Sequence, residues 1–245
     1  MSFLKNKIFK SIKEIFYPKY HCPICGFYGV FLIYSPPTGK RKHAQCPKCK
    51  ALERHRLQYC VVKKILQDRG ASQMSMLHFA PEQCLHSIFK TIFKPYLTAD
   101  LSRDDVDKKE DVTNLSFADE SFDLVFASCV MPYIKEDNLA FAQIKRVLKP
   151  QGIAILTVPV IGEKTIEYPE PNPSEDGHIR CPGYDYFQRY KSFFSKIIIY
   201  TSKDFSKKYQ LYVNQNRMDF SRKDMPLRPA VAGKKYLEFV PVCYK

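Results

Sequence analysis

The chain has 245 residues, a formal net charge of +14, and a globular composition with 45% hydrophobic and 26% charged residues. No segment approaches the roughly 18 uncharged apolar residues of a membrane-spanning helix, which excludes a helical membrane protein. The absence of a long repeat or a low-complexity tract excludes a repeat array.

The positive charge is concentrated in the first quarter of the chain. Residues 1–64 contain 14 Lys and Arg against 2 Asp and Glu, whereas residues 65–245 contain 25 against 23. A basic patch attracts polyanions such as nucleic acid, phosphorylated carbohydrate or an anionic membrane surface. A solvated, lysine-rich surface is the alternative, because charge alone selects no partner.

Cysteine usage and the start of the chain indicate the compartment. Nine cysteines are present, an odd number, and five of them show no pairing pattern, which fits a reducing environment. Residues 1–7 lack the apolar stretch and cleavage site of a secretory signal. We therefore expect a cytoplasmic protein without a transmembrane segment, and the sequence leaves its oligomeric state open.

The first predicted element is a basic amphipathic helix over residues 3–16. Its apolar residues fall near one face and its lysines elsewhere. Such a helix packs on its own protein or lies on a membrane surface, and we favour packing.

Two Cys-Pro-x-Cys motifs are the most specific feature of the chain. They contain Cys22, Cys25, Cys46 and Cys49, with 20 residues between the motifs. Each motif places two thiols at a tight turn, and four thiolates complete the closed tetrahedral shell that a structural Zn²⁺ prefers. We predict these cysteines as zinc ligands, with two disulfides or four free thiols as the alternative. A closed shell has no open position for substrate, so this zinc is expected to stabilise the fold.

The residues around these motifs predict a small N-terminal domain. An apolar run at 30–34, a Pro-Pro-Thr-Gly turn at 36–39 and a basic cluster at 40–43 indicate the strand, turn and strand of a zinc ribbon. Helical spacing over 52–67 predicts a connecting helix. We therefore assign residues 1–70 to an N-terminal helix, a zinc ribbon and this connecting helix.

From residue 74 onward, short apolar runs alternate with amphipathic segments, which predicts an α/β fold with a doubly wound, mostly parallel sheet. Residues 160–182 are rich in Pro, Glu and Gly and are predicted as an inserted loop. The second domain is assigned to residues 71–245. Its predicted elements are strands at 74–79, 96–99, 122–127, 153–158, 197–200 and 236–242 and helices at 82–93, 139–148 and 184–194.

In a doubly wound sheet, ligands bind beyond the carboxyl ends of the strands. An acidic residue directly after the second strand can accept hydrogen bonds from both hydroxyls of a ribose. Asp100 has this position, about 20 residues after the first strand ends. The sequence therefore predicts a nucleoside site that includes Asp100.

Two longer segments resemble the S-adenosylmethionine-dependent methyltransferases of the Rossmann-like class. One is Glu-Asp-Val-Thr-Asn-Leu-Ser-Phe-Ala-Asp-Glu-Ser-Phe-Asp-Leu-Val at 110–125, and the other is Arg-Val-Leu-Lys-Pro-Gln-Gly at 146–152. The resemblance covers about residues 74–200 and implies a seven-stranded Rossmann-like sheet. Leu-His-Phe-Ala-Pro-Glu at 77–82 and Leu-Glu-Arg-His-Arg at 52–56 further resemble a type 11-like subgroup of small bacterial methyltransferases with an N-terminal four-cysteine zinc module.

The resemblance implies S-adenosylmethionine as cofactor and a set of residues that bind it. These are Phe79, Ala80 and Glu82 for the methionine moiety, Asp100 and Leu101 for the ribose, Asp111 and Val112 for the adenine, and Ser128 and Cys129 along the cleft.

One departure from the family concerns the turn after the first strand, which is usually rich in glycine. Here it contains Ala80, Pro81 and Glu82. Ala80 is small, proline suits the first turn of a helix, and Glu82 can accept from the ammonium group of the cofactor. The alternative is a decayed cofactor site in a non-catalytic binding module.

Candidate catalytic residues lie in the predicted insert. Many family members have a histidine after the fourth strand, and this chain has none in residues 128–133. The run Asp-Gly-His-Ile-Arg at 176–180 resembles a segment of the zinc-module subgroup. We predict His178 as the general base, because it titrates near neutrality, together with Asp176. A surface or substrate-positioning role for His178 is the alternative.

The subgroup is associated with sugar modification and cell-surface polysaccharides. The resemblance therefore implies methyl transfer to a hydroxyl or carboxyl of a sugar-type metabolite or glycan. The alternative reaction is methylation of RNA or DNA, with nucleic acid bound by the basic N-terminal segment.

Overall fold

The computed structural model describes residues 17–36, 40–69, 74–216 and 235–245. The helix predicted over residues 3–16 and the predicted domain boundary at residues 70 and 71 lie outside these ranges. No helix within the described ranges combines the length and the apolarity needed to cross a bilayer.

The described residues form fifteen strands and four α-helices, linked by short 3₁₀ turns. The strands are β1 (Tyr20–His21), β2 (Tyr28–Gly29), β3 (Leu32–Tyr34), β4 (Lys40–Gln45), β5 (Met76–Phe79), β6 (Tyr96–Asp100), β7 (Lys108–Lys109), β8 (Phe122–Ser128), β9 (Leu148–Thr157), β10 (Ile166–Asn172), β11 (His178–Cys181), β12 (Lys196–Thr201), β13 (Val213–Asn216), β14 (Lys235–Tyr236) and β15 (Phe239–Tyr244). The helices are α1 (Glu53–Arg69), α2 (Gln83–Ile92), α3 (Asp137–Val147) and α4 (Phe187–Tyr190).

A seven-stranded sheet forms the centre of the molecule, with the order β12-β15-β9-β8-β5-β6-β7. Neighbours from β7 to β9 pair in parallel, and β15 runs antiparallel to both β9 and β12. This confirms the predicted doubly wound, mostly parallel sheet. Strand order reverses between β5 and β8, so the switch point lies at the carboxyl ends of these two strands.

Alternate side chains of the central strands fill two separate cores. Leu77 and Val125 lie on one face with α3, whereas Met76 and Phe126 lie on the other face with α1 and α2. Burial on both faces explains why these strands are apolar throughout, because each face is covered by helices.

A second sheet holds the ribbon and contains residues from both ends of the chain. Strands β3 and β4 form the predicted antiparallel pair. Strand β13 then pairs with β4, and β14 pairs with β13, giving the order β14-β13-β4-β3. The division of the chain into residues 1–70 and 71–245 stays a prediction, but the two segments share this sheet.

The buried side chain of Arg56 joins the ribbon to the rest of the molecule. Its guanidinium stacks on the Phe31 ring with its centre 4.5 Å from the ring centroid. It donates hydrogen bonds of 2.5–3.2 Å to the carbonyl oxygens of Ala44, Ala51, Tyr209 and Gln210. A single cation thus links strand β4, the start of α1 and the 207–210 turn.

The segment predicted as an inserted loop contains a β-hairpin instead, formed by β10 and β11. The turn includes Asp176 at φ 56° and Gly177 at φ 85°, a left-handed pair that Asp-Gly adopts readily. The proline-rich composition hid this hairpin, although the Asp-Gly pair is a hairpin signal.

Two other predicted elements differ from the structure. The helix predicted at 184–194 is a 3₁₀ turn at Tyr184–Tyr186 followed by the four-residue helix α4. The strand predicted at 236–242 is two strands in different sheets, because β14 joins the ribbon sheet and β15 the central sheet. Apolar pattern alone cannot choose between two sheets.

Candidate functional site

The four predicted metal ligands converge at one point. The sulfurs of Cys22, Cys25, Cys46 and Cys49 all lie within 4.8 Å of one another. The two shortest separations, Cys22 to Cys49 and Cys25 to Cys46, are both 3.6 Å. Zn–S bonds of about 2.3 Å place neighbouring sulfurs of a tetrahedral site about 3.8 Å apart. The cluster therefore fits a structural Zn²⁺.

The two knuckles have the same backbone geometry. In each, the amide four residues after the first cysteine donates to the carbonyl of that cysteine, at 3.0 Å for Gly26 and 2.9 Å for Lys50. Both turns then close through a positive φ, 72° at Gly26 and 62° at Lys50. Cys22 and Cys46 are fully buried. Matched, buried and unbridged thiols favour a metal site over two disulfides.

A second candidate site lies at the carboxyl ends of β5, β6 and β8, where the sheet order reverses. Ala80 follows β5 with φ 46°, and Cys129 follows β8 with φ 56°. The chain thus turns sharply after each of these two strands. A positive φ of this kind is the conformation that glycine adopts most easily. A left-handed alanine takes the place of the missing glycine at this turn.

The acids predicted to bind the nucleoside lie along this edge. Asp100 ends β6, and its Oδ1 accepts from the amides of Ser102 and Arg103 at 2.9 and 3.0 Å. All the hydrogen bonds of its carboxylate within the described residues use Oδ1, and Oδ2 forms none there. Asp111 is exposed, and its Oδ1 accepts from Thr113.

Three other predicted cofactor residues differ in what they can offer. The side chains of Phe79 and Val112 are buried in the core, with 2% and 4% exposure. They can therefore contact a ligand in the cleft mainly through their backbone. Leu101 is 67% exposed, and its side chain is accessible beside Asp100.

Glu82 is held as an anion beside the switch point. Its carboxylate oxygens lie 3.5 Å from Nε2 of His78 and 3.7 Å from Nε2 of His55. Burial acts to raise the pKa of Glu82, but the interactions with His78, His55 and Ser128 outweigh it and lower the pKa to about 2. Glu82 Oε2 nevertheless has no hydrogen-bond partner in the described structure.

The two imidazoles beside Glu82 are neutral. Burial lowers the pKa of His55 to about 3 and also lowers the pKa of His78. Nδ1 of His55 accepts from the Leu52 amide at 3.2 Å, so its proton is on Nε2. Nδ1 of His78 lies 2.8 Å from the Tyr96 hydroxyl. Neutral histidines can stabilise the carboxylate without cancelling its charge.

Helix α1 forms a wall of this cleft that sequence reasoning missed. Gln58 donates to the hydroxyls of Ser128 and Thr157, at 2.9 and 2.8 Å, and so reaches the tips of β8 and β9. Arg54 precedes Gln58 by four residues and therefore lies on the same helix face. The Leu-Glu-Arg-His-Arg motif was the available signal, but periodicity did not show which face met the cleft.

The predicted catalytic residues lie on the hairpin beside the tip of β8. The His178 ring packs edge-on against Tyr133, with centroids 4.5 Å apart, and its Nδ1 is 3.8 Å from Glu175. Asp176 is part of the hairpin turn. The structure brings His178 to the β8 side of the cleft, while Glu82 and Asp100 lie on the β5 and β6 side.

Arg180 fixes the hairpin in this position. It donates to the carbonyl oxygens of Met131, Ile134 and Lys135, which follow β8, and pairs with Glu167 on β10 at 3.0 Å. Arg180 was noted in the sequence only as a neighbour of His178. Its buried contacts show a structural role.

Comparison with known protein families gives a match in the central segment of the chain. Residues 72–156 match the family model Methyltransf_11, described as a methyltransferase domain. No curated protein sequence matches the chain.

Solved structures give more distant likenesses. An S-adenosylmethionine-dependent methyltransferase from Mesorhizobium loti is 10% identical over 77% of this chain and 98% of its own, with a TM-score of 0.48. Phosphoethanolamine N-methyltransferase 2 from Haemonchus contortus, solved with phosphomonomethylethanolamine and S-adenosylhomocysteine, is 18% identical over 58% of this chain and 39% of its own, with a TM-score of 0.45. At these low identities and TM-scores the solved structures do not establish the fold of this chain. The fold is assigned from the strand order of its central sheet.

Proposed function

We propose that the chain is an S-adenosylmethionine-dependent methyltransferase that methylates a hydroxyl of a sugar-type metabolite or glycan, supported by the match of residues 72–156 to a methyltransferase domain. When bound, S-adenosylmethionine supplies an electrophilic methyl group. The observation that carries the choice of acceptor is the position of His178 and Glu175 beside Tyr133, at the β8 side of the cleft.

In this proposal the strand-tip residues bind the cofactor. Asp100 Oδ2 accepts from the ribose, Asp111 and the backbone at Val112 face the adenine, and Glu82 accepts from the ammonium group. Ala80, Ser128 and Cys129 line the cleft between these groups, with Phe79 and Leu101 on either side of the first two strand tips. The unpaired Oε2 of Glu82 supports this assignment, since buried acceptors are rarely left without a partner.

The hairpin supplies the acceptor side. The Glu175 carboxylate lies 3.8 Å from Nδ1 of His178, which favours the tautomer with its proton on Nδ1 and leaves Nε2 to accept the proton of an attacking hydroxyl. A carboxylate acceptor is already ionised at neutral pH and needs no base, so this arrangement favours a hydroxyl. Asp176 lies close enough to influence the Tyr133 hydroxyl, whose pKa is raised by burial and by the charge of Asp176.

The surroundings of His178 suit a sugar. Tyr133 is 46% exposed, so a face of its ring is free for the apolar face of a pyranose. Tyr168 donates to Glu175 at 3.1 Å, and Glu170 is exposed on β10. Carboxylates accept from sugar hydroxyls, which makes an acid-rich rim with exposed aromatic rings suitable for a glycan.

Transfer of a labelled methyl group from S-adenosylmethionine tests the proposal. Purified protein is offered sugar nucleotides, glycan fractions and RNA, with exposed Glu163→Gln as the matched control. We expect labelling of a carbohydrate, with a loss of about 10²–10⁴-fold in kcat in His178→Ala. Undiminished transfer by His178→Ala would remove the base assignment, and labelling of RNA alone would remove the acceptor class.

Nucleic acid is the second candidate acceptor, favoured by a cavity of about 410 Å³ on the outer side of α1. It is bordered by Lys63 and Lys64 on the helix and by the rings of Tyr200, Phe205 and Tyr209. Cations beside aromatic rings suit single-stranded RNA. Binding of labelled RNA over a salt series tests this, and equal affinity in a Lys63→Glu, Lys64→Glu double variant would exclude the cavity.

A further inference from the structure

We propose that helix α1 supplies the carboxylate anchor of the cofactor site, through Arg54 opposite Glu82. The inference deepens the proposed function and depends on it, because it assigns the amino-acid end of S-adenosylmethionine to a pair of side chains from two different parts of the fold. It also gives the four-cysteine module a direct effect on cofactor affinity.

The first observation concerns the guanidinium of Arg54, whose Nε has no hydrogen-bond partner in the described part of the chain. Its Nε is inaccessible to solvent and unbonded, and within the described residues it forms no ion pair closer than 4.0 Å. An enclosed cation without a partner is costly. Arg56, two residues further along, has every guanidinium nitrogen bonded. Arg54 and Arg56 therefore differ within one helix, although the Nε of Arg41 on β4 is also buried without a partner among the described residues.

The second observation is where Arg54 lies. The neighbouring residue, His55, is 3.7 Å from the Glu82 carboxylate, and Gln58 on the Arg54 face contacts Ser128 at the tip of β8. Burial acts to lower the pKa of Arg54, but the charges of Cys129, Glu82 and Glu238 outweigh it and raise the pKa. Arg54 therefore faces the same cleft as Glu82.

The third observation is that Glu82, although it lies beside His55 and His78, also has a carboxylate oxygen without a hydrogen bond to any described residue. Its Oε2 is buried without a hydrogen-bond partner, and its carboxylate forms no ion pair with Arg54. A cation and an anion at the same cleft, each with a buried atom that has no hydrogen bond within the described structure, are complementary to a zwitterion. The α-amino acid end of S-adenosylmethionine is such a group, with an ammonium for Glu82 and a carboxylate for the planar fork of Arg54.

The position of Arg54 depends on the second cysteine knuckle. Arg54 follows Cys49 by five residues, and the intervening backbone is fixed on both sides. The Cys46 amide donates to the Ala51 carbonyl at 2.9 Å, and Arg41 on β4 pairs with Glu53 at 2.5 Å. Holding the knuckle in place by a metal therefore holds the first turn of α1, and Arg54 with it, over the cleft.

Calorimetric binding of three ligands to the full chain tests the pair. S-adenosylhomocysteine has both charged groups, its decarboxylated analogue keeps only the amine, and 5′-methylthioadenosine has neither. Arg54→Leu should weaken S-adenosylhomocysteine by about 10- to 100-fold and leave the other two ligands within about twofold. Lys90→Leu, which removes an exposed cation from helix α2, is the control and should change none of them.

Glu82→Gln completes the design. It should weaken both amine-bearing ligands and leave 5′-methylthioadenosine unchanged, and thermal unfolding of each variant separates binding effects from misfolding. Equal weakening of all three ligands by Arg54→Leu, or unchanged binding of S-adenosylhomocysteine, would overturn the inference. Failure of the wild-type chain to bind any of the three would instead overturn the proposed cofactor site.

Discussion

The ribbon side and the cleft side of helix α1 differ in how their buried polar groups are paired, although the ribbon side too has unbonded buried atoms, on His21, Arg41 and Glu53. On the ribbon side, Arg56 donates to four backbone carbonyls and four thiols converge on one point. On the cleft side, atoms of Arg54, His55, Gln58, His78 and Glu82 are buried without partners. Native proteins pair nearly all buried polar groups, so five side chains with unbonded atoms at one cleft are consistent with a ligand site.

Metal removal is the change with the largest expected effect on this contrast. A structural zinc contributes about 10 kcal/mol or more to folding of small zinc modules, so chelation or Cys46→Ser should unfold the ribbon. Metal analysis should give about one zinc per chain in the wild type and none in the variant. A metal-free protein with unchanged thermal stability would show that the knuckles need no ion. Cys60→Ser, outside the cluster, is the control.

Arg56→Leu is expected to have the next largest effect. It leaves four carbonyls without their donors in a buried setting, where each unsatisfied group costs about 1–3 kcal/mol. We expect the free energy of unfolding, measured with denaturant, to fall by about 3 kcal/mol or more. Arg54→Leu is the matched comparison and should cost little, because its Nε has no partner to lose. Equal costs would contradict the distinction between the two sides.

Asp100→Asn examines the cleft side without disturbing its turn. Asparagine keeps an acceptor for the Ser102 and Arg103 amides but loses the ionised acceptor proposed for the ribose. Calorimetry should show S-adenosylhomocysteine and 5′-methylthioadenosine weakened by about the same factor, in the range of tenfold. Asp105→Asn, an exposed neighbour, should leave both unchanged. Unaltered affinity in Asp100→Asn would move the ribose site elsewhere.

The smallest expected effect is a pH dependence of stability. His55 has its pKa lowered from 6.5 to about 3 by burial, so below pH 6.5 the unfolded chain takes up a proton that the folded site refuses. The free energy of unfolding should therefore decrease as the pH is lowered below 6.5, by up to about 1.4 kcal/mol per pH unit for each such histidine. His78, also lowered, adds to the slope.

His55→Asn isolates one of these contributions, since asparagine keeps an acceptor for the Leu52 amide. Denaturant unfolding between pH 7.5 and 4.5 should give a shallower slope than the wild type. The window stops at pH 4.5 because below it the unfolded chain protonates Glu82 while the folded site, with a pKa of about 2, keeps it ionised, so the contribution of Glu82 to stability is lost between 4.5 and 2. An unchanged slope would show that His55 is not held neutral.

Local patterns predicted much of the fold. Apolar runs located the core strands β5, β6, β8 and β9, because strands buried on both faces are mostly apolar, with few polar residues such as His78. The Cys-Pro-x-Cys spacing located the metal cluster. Each motif brings two thiols to one turn, and two such turns supply the four ligands of a zinc site. The β10–β11 hairpin was missed, since its prolines masked an Asp-Gly turn.

The sequence by itself determined the sheet, the cysteine cluster and the acid at the tip of β6, because each depends on neighbours within a few residues. Only the tertiary structure decided that the ribbon sheet takes in strands from both ends of the chain and that α1 lines the cleft. It also showed that Arg54 and Arg56 differ in hydrogen bonding: Nε of Arg54 is unbonded within the described residues, whereas Arg56 donates to backbone carbonyls. Two arginines in one motif have the same intrinsic chemistry, and only the groups that surround each side chain distinguish a structural cation from an unpaired one.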